Sequence, residues 1–247
     1  MTVSIITVVF NCEDFIGDCL DSIYAQTYPN IEHIIIDGAS SDGTLNIIRA
    51  KANKKTILVS EKDLGYYHAL NKGILLSTGS IIGILNADDQ LAGKNVIQNI
   101  VLCFTNHSCQ AVYGNLNYVK RFSNNIIERK WRDKGYNVNR FLSGWMPPHP
   151  ALFLHSELFS INGFYSLSYG TCSDYDLIIR FLYLNRTNTV FLDELIVCMR
   201  SGGMSNGSLA KVFQSMKQDY KILVLNGFSF CWFIVILKRL RKLRQLL

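Results

Sequence analysis

The sequence predicts an α/β protein with a mostly parallel central sheet, helices on both faces, a small second mixed sheet and a C-terminal amphipathic helix. Three observations carry that reading. Four short apolar runs alternate with helical stripes in the first ninety residues, polar side chains collect after each run, and the excess positive charge lies beyond Lys211. Strands separated by helices in this way pair in parallel through right-handed crossovers.

The elements follow in order. Val3–Phe10 is a β-branched run short enough for a buried strand. Glu13–Gln26 carries Phe15, Ile16, Cys19, Leu20 and Ile23 on one helical face. Ile31–Asp37 is a second strand, and Ser40-Ser41-Asp42-Gly43 offers caps to a helix reaching Ala50. Thr56–Ser60 is a third strand, Tyr66–Leu76 a third helix, and Ser80–Leu85 a fourth strand ending at Asn86-Ala87-Asp88-Asp89. In the second half, Ala111–Tyr118 and Ile126–Trp131 read as strands of the small mixed sheet. Asp133–Pro150 holds all but one of the prolines and reads as a loop. Ala151–His155 is a short strand, Asp174–Leu184 a helix, Leu195–Met199 a last strand, and Ser201-Gly202-Gly203 a loop. The simplest division is a domain over residues 1–206 and a helical extension over 207–247.

Composition narrows the class. The 247 residues are 49% hydrophobic and 18% charged, too apolar for disorder. The net charge is +6, but eight basic residues and one acidic one follow from Lys211 onward, leaving the body near neutral. That argues against a surface built to coat nucleic acid. Seven cysteines without Cys-x-x-Cys spacing suggest buried thiols in a reducing compartment rather than a disulfide framework or zinc ribbon. The N-terminus lacks a basic stretch and a cleavage site, so no signal peptide is predicted.

Ligands in such sheets bind at the carboxyl ends of the strands. Asn11, Asp37, Glu61, Asp63, Asp88 and Asp89 all fall there. Adjacent carboxylates after an apolar strand are costly to desolvate without a partner, and a hard divalent cation would supply one. A helix N-cap is the other reading of Asp88-Asp89. Asp37 would accept hydrogen bonds from a base or ribose, or simply shape the Asp-Gly turn. Neither a Gly-x-Gly-x-x-Gly nor a P-loop motif is present, which argues against a dinucleotide site or a P-loop.

The ordered motifs resemble a bacterial family 2 glycosyltransferase of the GT-A, Rossmann-like fold. They are SIITVVFN at 4–11, IIIDGASSDGT at 34–44, SEKDLGYYHALNKGI at 60–74, TGSIIGILNADD at 78–89, HPALF at 149–153, SDYDLIIRFL at 173–182 and GGMSN at 202–206. The resemblance implies inverting, metal-assisted transfer of a sugar from a nucleotide-diphosphate sugar, a UDP-sugar by preference. It places Thr7, Val9, Asn11 and Asp37 near the nucleoside, Asp63 beside base or ribose, and Asn71 and Lys72 on the helix facing the nucleotide. Asp88 would bind Mn²⁺ or Mg²⁺ with Asp89 in support, and Asp174 would be the general base. Asn86 stands where the family's first Asp-x-Asp acid belongs, Gly38 where a second Asp often follows, and Ser173 where a Glu is common. Asp176 is a rival base, but two residues apart on a helix point about 200° apart. Trp145 and His149 are acceptor-side candidates, each with a structural reading beside it: a core aromatic and a loop histidine.

The tail carries the apolar segment Ile222–Leu237 followed by Lys238-Arg239-Leu240-Arg241-Lys242-Leu243-Arg244. Its unbroken apolar part is far short of the roughly 20 residues that span a bilayer. Leu237, Leu240, Leu243 and Leu247 can form a stripe flanked by cations, which suits an interfacial helix on an anionic membrane over 228–247. A core helix or a homo-oligomer contact is the alternative. The resemblance further implies a lipid-linked (undecaprenyl diphosphate) saccharide acceptor, O-antigen or capsule assembly, and a peripheral place at the cytoplasmic face of the inner membrane. Two other functions compete: a nucleotidyltransferase, and a degenerate sugar-nucleotide-binding scaffold.

Overall fold

A computed structural model gives the fold. It describes residues 1–202 and 209–244, with side chains undescribed at 124–125, 209 and 242–244. The GGMSN motif beyond Gly202 and the expected stripe positions Leu243 and Leu247 therefore lie outside what is described.

The elements run β1 (Val3–Val9), α1 (Glu13–Tyr24), β2 (Ile31–Asp37), α2 (Thr44–Lys51), β3 (Thr56–Ser60), α3 (Tyr66–Leu76) and β4 (Ile81–Ile84). Then come β5 (Gln90–Leu91), α4 (Val96–His107), β6 (Ala111–Lys120), β7 (Ser123–Trp131), β8 (Leu152–His155), α5 (Glu157–Asn162), α6 (Ser173–Ile178) and β9 (Thr189–Arg200). Two helices close the chain, α7 (Leu209–Leu225) and α8 (Cys231–Arg244).

The nine strands among the described residues form one sheet, ordered β3-β2-β1-β4-β8-β6-β9-β5, with β7 paired to β6. The first four pair in parallel, β8 runs antiparallel to both β4 and β6, and β6 pairs β9 in parallel. The expected second mixed sheet is thus not separate. Its strands extend the first sheet through β8, because Gly83 on β4 lets Phe153 lie against the backbone. A Cβ at Gly83 would come within 2.2 Å of that ring.

Alternation along β1 explains the two-sided core. Val3, Ile5 and Val9 face the α1 and α4 layer with Ile16, Leu20, Ile97 and Phe104. Ile6 faces the opposite layer with Leu70, Leu177, Phe181 and Ile234. That second cluster also takes in Ile222, Leu223, Phe228, Cys231 and Val235, so the apolar core continues across residue 207 into α7 and α8. The chain leaves β1 toward β2 on one side and returns to β4 on the other. That arrangement opens the crevice where such sheets hold ligands.

Three elements differ from expectation. α4 was unassigned, although Val96, Ile97, Ile100, Val101 and Phe104 repeat at helical spacing and are buried. β9 begins at Thr189, before Asp193 and Glu194, because its long parallel ladder with β6 supplies the pairing that two acidic residues argue against. The expected helix over Asp174–Leu184 starts as α6 and continues as a π-helical turn over Ile179–Leu184. Within the loop Asp133–Pro150, short 3-10 turns form at Val138–Ser143 and from His149.

Candidate active site

The loop after β4 is braced from three sides. Asn86 accepts a hydrogen bond from the Tyr66 hydroxyl at 2.6 Å and donates to Asp89 Oδ2 at 2.9 Å. The Arg200 backbone N–H donates to Asp89 Oδ1 at 3.0 Å, and its guanidinium donates to the Asp88 carbonyl at 2.7 Å. Both oxygens of Asp89 are therefore spent inside the protein. Burial first, then the Asp88 charge, push its carboxyl up to about 8. Asp88 is the member of the pair that stays available. Its side chain is 25% exposed, and its one side-chain contact among the described residues is the Arg121 guanidinium at 3.4 Å.

Asp174 lies in the first turn of α6. Its Oδ2 accepts from the Tyr67 hydroxyl at 2.8 Å and lies 3.7 Å from His149 Nε2. His149 and Asp174 line one small cavity with Ile82, Ile84 and Tyr165. Tyr66 and Tyr67 stand edge to face at 5.1 Å, and Tyr67 packs on Tyr165 at 5.4 Å. Burial, then the Asp174 charge, raise the Tyr67 hydroxyl far above the usual phenol range, so it remains a neutral donor. Burial also raises Tyr66, with Asp174, Asp89 and Asp88 all adding to the effect. Two consecutive tyrosines at the start of α3 thus join the β4 loop to α6. Asp176 points elsewhere, buried and paired with Arg180 at 2.9 Å.

The family follows from comparison with known proteins. The model for "Glycosyl transferase family 2" matches residues 4–158. The chain belongs to that family. A PGL/p-HBAD biosynthesis glycosyltransferase of Mycobacterium bovis is 30% identical over 215 residues, covering 85% of this chain and 81% of the relative. Among solved structures, Staphylococcus aureus TarS 1-349 in complex with UDP-GlcNAc superposes with a TM-score of 0.73 at 16% identity, covering 99% of this chain and 73% of that one. The chain spans 39% of a longer TarS structure. The mannosyltransferase PcManGT from Pyrobaculum calidifontis, in complex with GDP-Man and Mn²⁺, gives 0.67 at 23% identity over 95% of this chain and 67% of that one. These likenesses establish the GT-A type of fold.

The residues expected on the donor side are mostly engaged with protein partners. Asp63 Oδ1 is held by Lys72 at 2.7 Å and His68 at 2.9 Å, while its buried Oδ2 has no partner among the described residues. Lys72 also reaches Glu61 at 2.5 Å. Asp37 is fully buried and bound to the Ser40 backbone at 3.0 Å, the Ser40 hydroxyl, and the Ser60 hydroxyl at 2.7 Å. It shapes the turn after β2, the second of its two readings. Asn11, at φ +46°, accepts from the Ser41 N–H at 2.9 Å and ties the β1 end to that same turn.

Thr7 and Val9 face the α1 layer. Thr7 bonds His33 at 2.9 Å, and Val9 is core. Any contact with a nucleoside here would come through backbone. Asn71 exchanges two hydrogen bonds with the Tyr165 backbone, at 2.9 and 3.0 Å, which pins Tyr165 beside Tyr67. The acceptor-stacking reading of Trp145 is corrected. Its ring is buried against Tyr113, Tyr136 and Phe141, and its indole N–H donates to Asp133 at 3.0 Å.

Sequence reasoning missed Tyr66, Tyr67, His68, Arg121, Arg200 and Phe10. The tyrosine pair lay inside a quoted motif, and two adjacent aromatics at a helix start was the available signal. Arg121 and Arg200 gave none, because their roles arise only where β6 and β9 lie side by side. Phe10 is 63% exposed at the end of β1, and its ring meets the space above Gly38.

Proposed function

We propose that this chain is an inverting glycosyltransferase. It moves a sugar from a nucleoside diphosphate sugar, by preference a UDP-sugar, to a hydroxyl of a lipid-linked saccharide such as one on undecaprenyl diphosphate. Assembly of an O-antigen or capsule repeat unit is the setting that fits. The observation that carries the reading is the Asp174 carboxylate, held by Tyr67, whose neighbour Tyr66 donates to Asn86 in the loop that carries Asp88. One inverting step needs one base opposite the leaving group, and Asp174 would serve as that base while Asp88 would be left for the cation.

Asp174 Oδ1 has no partner among the described residues, whereas Oδ2 is fixed by Tyr67. Oδ1 takes the proton of the acceptor hydroxyl as that oxygen bonds the anomeric carbon. The bond from that carbon to the diphosphate oxygen breaks, releasing nucleoside diphosphate. His149 Nε2 is 3.7 Å from Asp174 Oδ2, beside the base but beyond hydrogen-bond range. Asp63 would lie beside the base or ribose, its buried Oδ2 left without a partner among the described residues, and Phe10 offers a ring face beside the turn that Asp37 builds.

The residues present suit a hard divalent cation. Asp88 is a part-exposed carboxylate, and because the described residues hold no group of three or more His, Cys, Asp or Glu side chains fit for a metal, the donor diphosphate would have to complete the ligand set. One or two carboxylates plus substrate phosphates is the ligand set that Mg²⁺ prefers. Asp88 would hold Mn²⁺ or Mg²⁺ with the donor diphosphate, and Asp89 would hold Asp88's loop in place. When bound, the cation supplies Lewis-acid stabilisation of the departing diphosphate.

PcManGT bound to GDP-Man and Mn²⁺, and TarS bound to UDP-GlcNAc, support the donor class. The test is a screen of nucleotide sugars against a synthetic lipid-diphosphate N-acetylhexosamine, with and without Mn²⁺. Release of nucleoside diphosphate in step with glycolipid supports the reading. Pyrophosphate release, or donor binding without turnover on any lipid-linked acceptor, contradicts it.

A further inference from the structure

The C-terminal helix expected within 228–247 is α8, and it pairs with a further helix, α7. The apolar segment 222–237 is broken at Gly227, φ +74°, into two antiparallel helices, α7 and α8. Their inner faces belong to the body. Ile222, Leu223, Phe228, Cys231, Ile234 and Val235 are buried with the α6 residues. Lys238 and Arg239 meet the buried Asp219 at 2.7 and 3.5 Å, and Arg241 donates to the Ser143 carbonyl at 2.8 Å. Part of the basic cluster is therefore used internally, and the cations that remain outward must be identified from the structure.

The outer faces are apolar and cationic. On α8, Phe233, Ile236 and Leu240 recur at i, i+3 and i+7, and all are exposed. At the turn, Phe230 is 84% exposed, beside the exposed Leu225. On α7, Phe213 and Val224 are exposed, with Lys217 lying over the Phe213 ring at 4.8 Å. Tyr220 stacks on Trp232 at 4.5 Å and joins the two helices into one surface. Lys217 and Lys221 are exposed on α7, and the sole acidic residue from 209 to 244, Asp219, is buried. Among the described residues, no helix is long and apolar enough to cross a membrane.

We propose that this outer face of the α7–α8 hairpin docks onto the surface of an anionic lipid bilayer. Large aromatics enter the boundary between headgroups and acyl chains, and the lysines meet the anionic headgroups. Charge selects this occupant over a second copy of the chain. An isologous dimer would set Lys217 and Lys221 against the same cations, with no exposed carboxylate in the hairpin to pair with them.

Position adds a consequence. Cys172 Sγ contacts the Ser215 carbonyl at 3.5 Å, and Lys238 lies 3.3 Å over the Tyr175 ring, so the hairpin packs directly behind the residues flanking Asp174. A docked hairpin would hold that segment about one helix diameter, roughly 10 Å, above the bilayer. A lipid-linked acceptor would need to rise little to reach it. The docking proposal stands on the hairpin's own composition. It can fail while transfer to a water-soluble acceptor analogue persists.

The full chain is floated with phosphatidylcholine vesicles, with or without phosphatidylglycerol. Two variants are compared: Phe230→Ser/Phe233→Ser/Ile236→Ser, and Lys217→Gln/Lys221→Gln. All five side chains are exposed, and a thermal melt checks folding. The wild type should float with phosphatidylglycerol vesicles, and the lysine pair should weaken binding about thirtyfold. The aromatic variant should stay in the soluble fraction. Failure of the wild type to float, or equal flotation by all three proteins, overturns the proposal. So does a concentration-dependent dimer that the aromatic substitutions abolish without any vesicle binding. If the aromatic variant does not fold, the lysine pair decides by the same criterion.

Discussion

The Tyr67 hydroxyl donates a 2.8 Å hydrogen bond to Asp174 Oδ2, joining the first turn of α3 to the first turn of α6. The two residues are far apart in sequence but lie on helices that pack in the same layer of the fold. The bond fixes one carboxylate oxygen and leaves the other for proton transfer. Removing the hydroxyl in Tyr67→Phe should lower kcat roughly 10- to 100-fold with donor affinity little changed. Asp174→Asn should lower it about 10²- to 10⁴-fold. Steady-state kinetics on both variants separates the base from the residue that positions it.

Asp88 and Asp89 should behave differently although adjacent. Asp88 is part-exposed and makes one side-chain contact, so Asp88→Asn should abolish Mn²⁺ binding while leaving the fold intact. Asp89 accepts from both Asn86 and the Arg200 backbone. In Asp89→Asn, one donor would face an amide N–H₂, costing about 1–3 kcal/mol of stability. Chemical denaturation and Mn²⁺ titration on the two variants give opposite patterns.

Much of the frame was legible in the sequence, and the reason is visible in β1 to β4. The apolar runs of β1, β2 and β4 are buried on both faces, so each announces itself without reference to its neighbours, whereas β3 at the sheet edge is only partly buried. The carboxylates after those strands were found for the same reason. Which of them remain free was not legible. Asp37, Asn71 and Asp89 are consumed by Ser40, Ser60, Tyr165 and Arg200, partners supplied by turns and distant strands. Trp145 was ambiguous because an aromatic in a proline-rich loop looks the same whether it faces sugar or core. The mixed half of the sheet was read as separate because β8 inserts out of sequence order between β4 and β6.

Asn71 provides a test of that lesson. Its amide makes two hydrogen bonds to the Tyr165 backbone. Asn71→Ala should cost about 1–3 kcal/mol and lower transfer modestly through the loosened Tyr165–Tyr67 contact. Donor affinity, measured by calorimetry, should stay near the wild-type value.

Stability should fall in acid through His33. The ring is buried between Thr7 and Tyr24, and burial holds its pKa down at about 3 against the ordinary 6.5. The folded state therefore favours the neutral ring. The contribution is complete above about pH 6.5 and is lost progressively as pH falls toward 3. Between pH 7 and pH 5 the loss amounts to about 2 kcal/mol. Urea midpoints across that range should decline in the wild type and decline less in His33→Gln.

Gly144 tests the seating of α8. It sits at φ +70°, and a Cβ there would lie 2.4 Å from the Lys238 backbone nitrogen. Gly144→Ala should cost roughly 2–4 kcal/mol by strain and overpacking combined. Limited proteolysis should then cut within α8 earlier than in the wild type.

The central claim is inverting transfer with Asp174 as the base, and the anomeric configuration of the product tests it most directly. Nuclear magnetic resonance of the glycolipid formed from an α-linked nucleotide sugar should show a β-glycoside from the wild type and none above background from Asp174→Asn. An α-glycoside, or a near-normal rate in Asp174→Asn, would contradict the account.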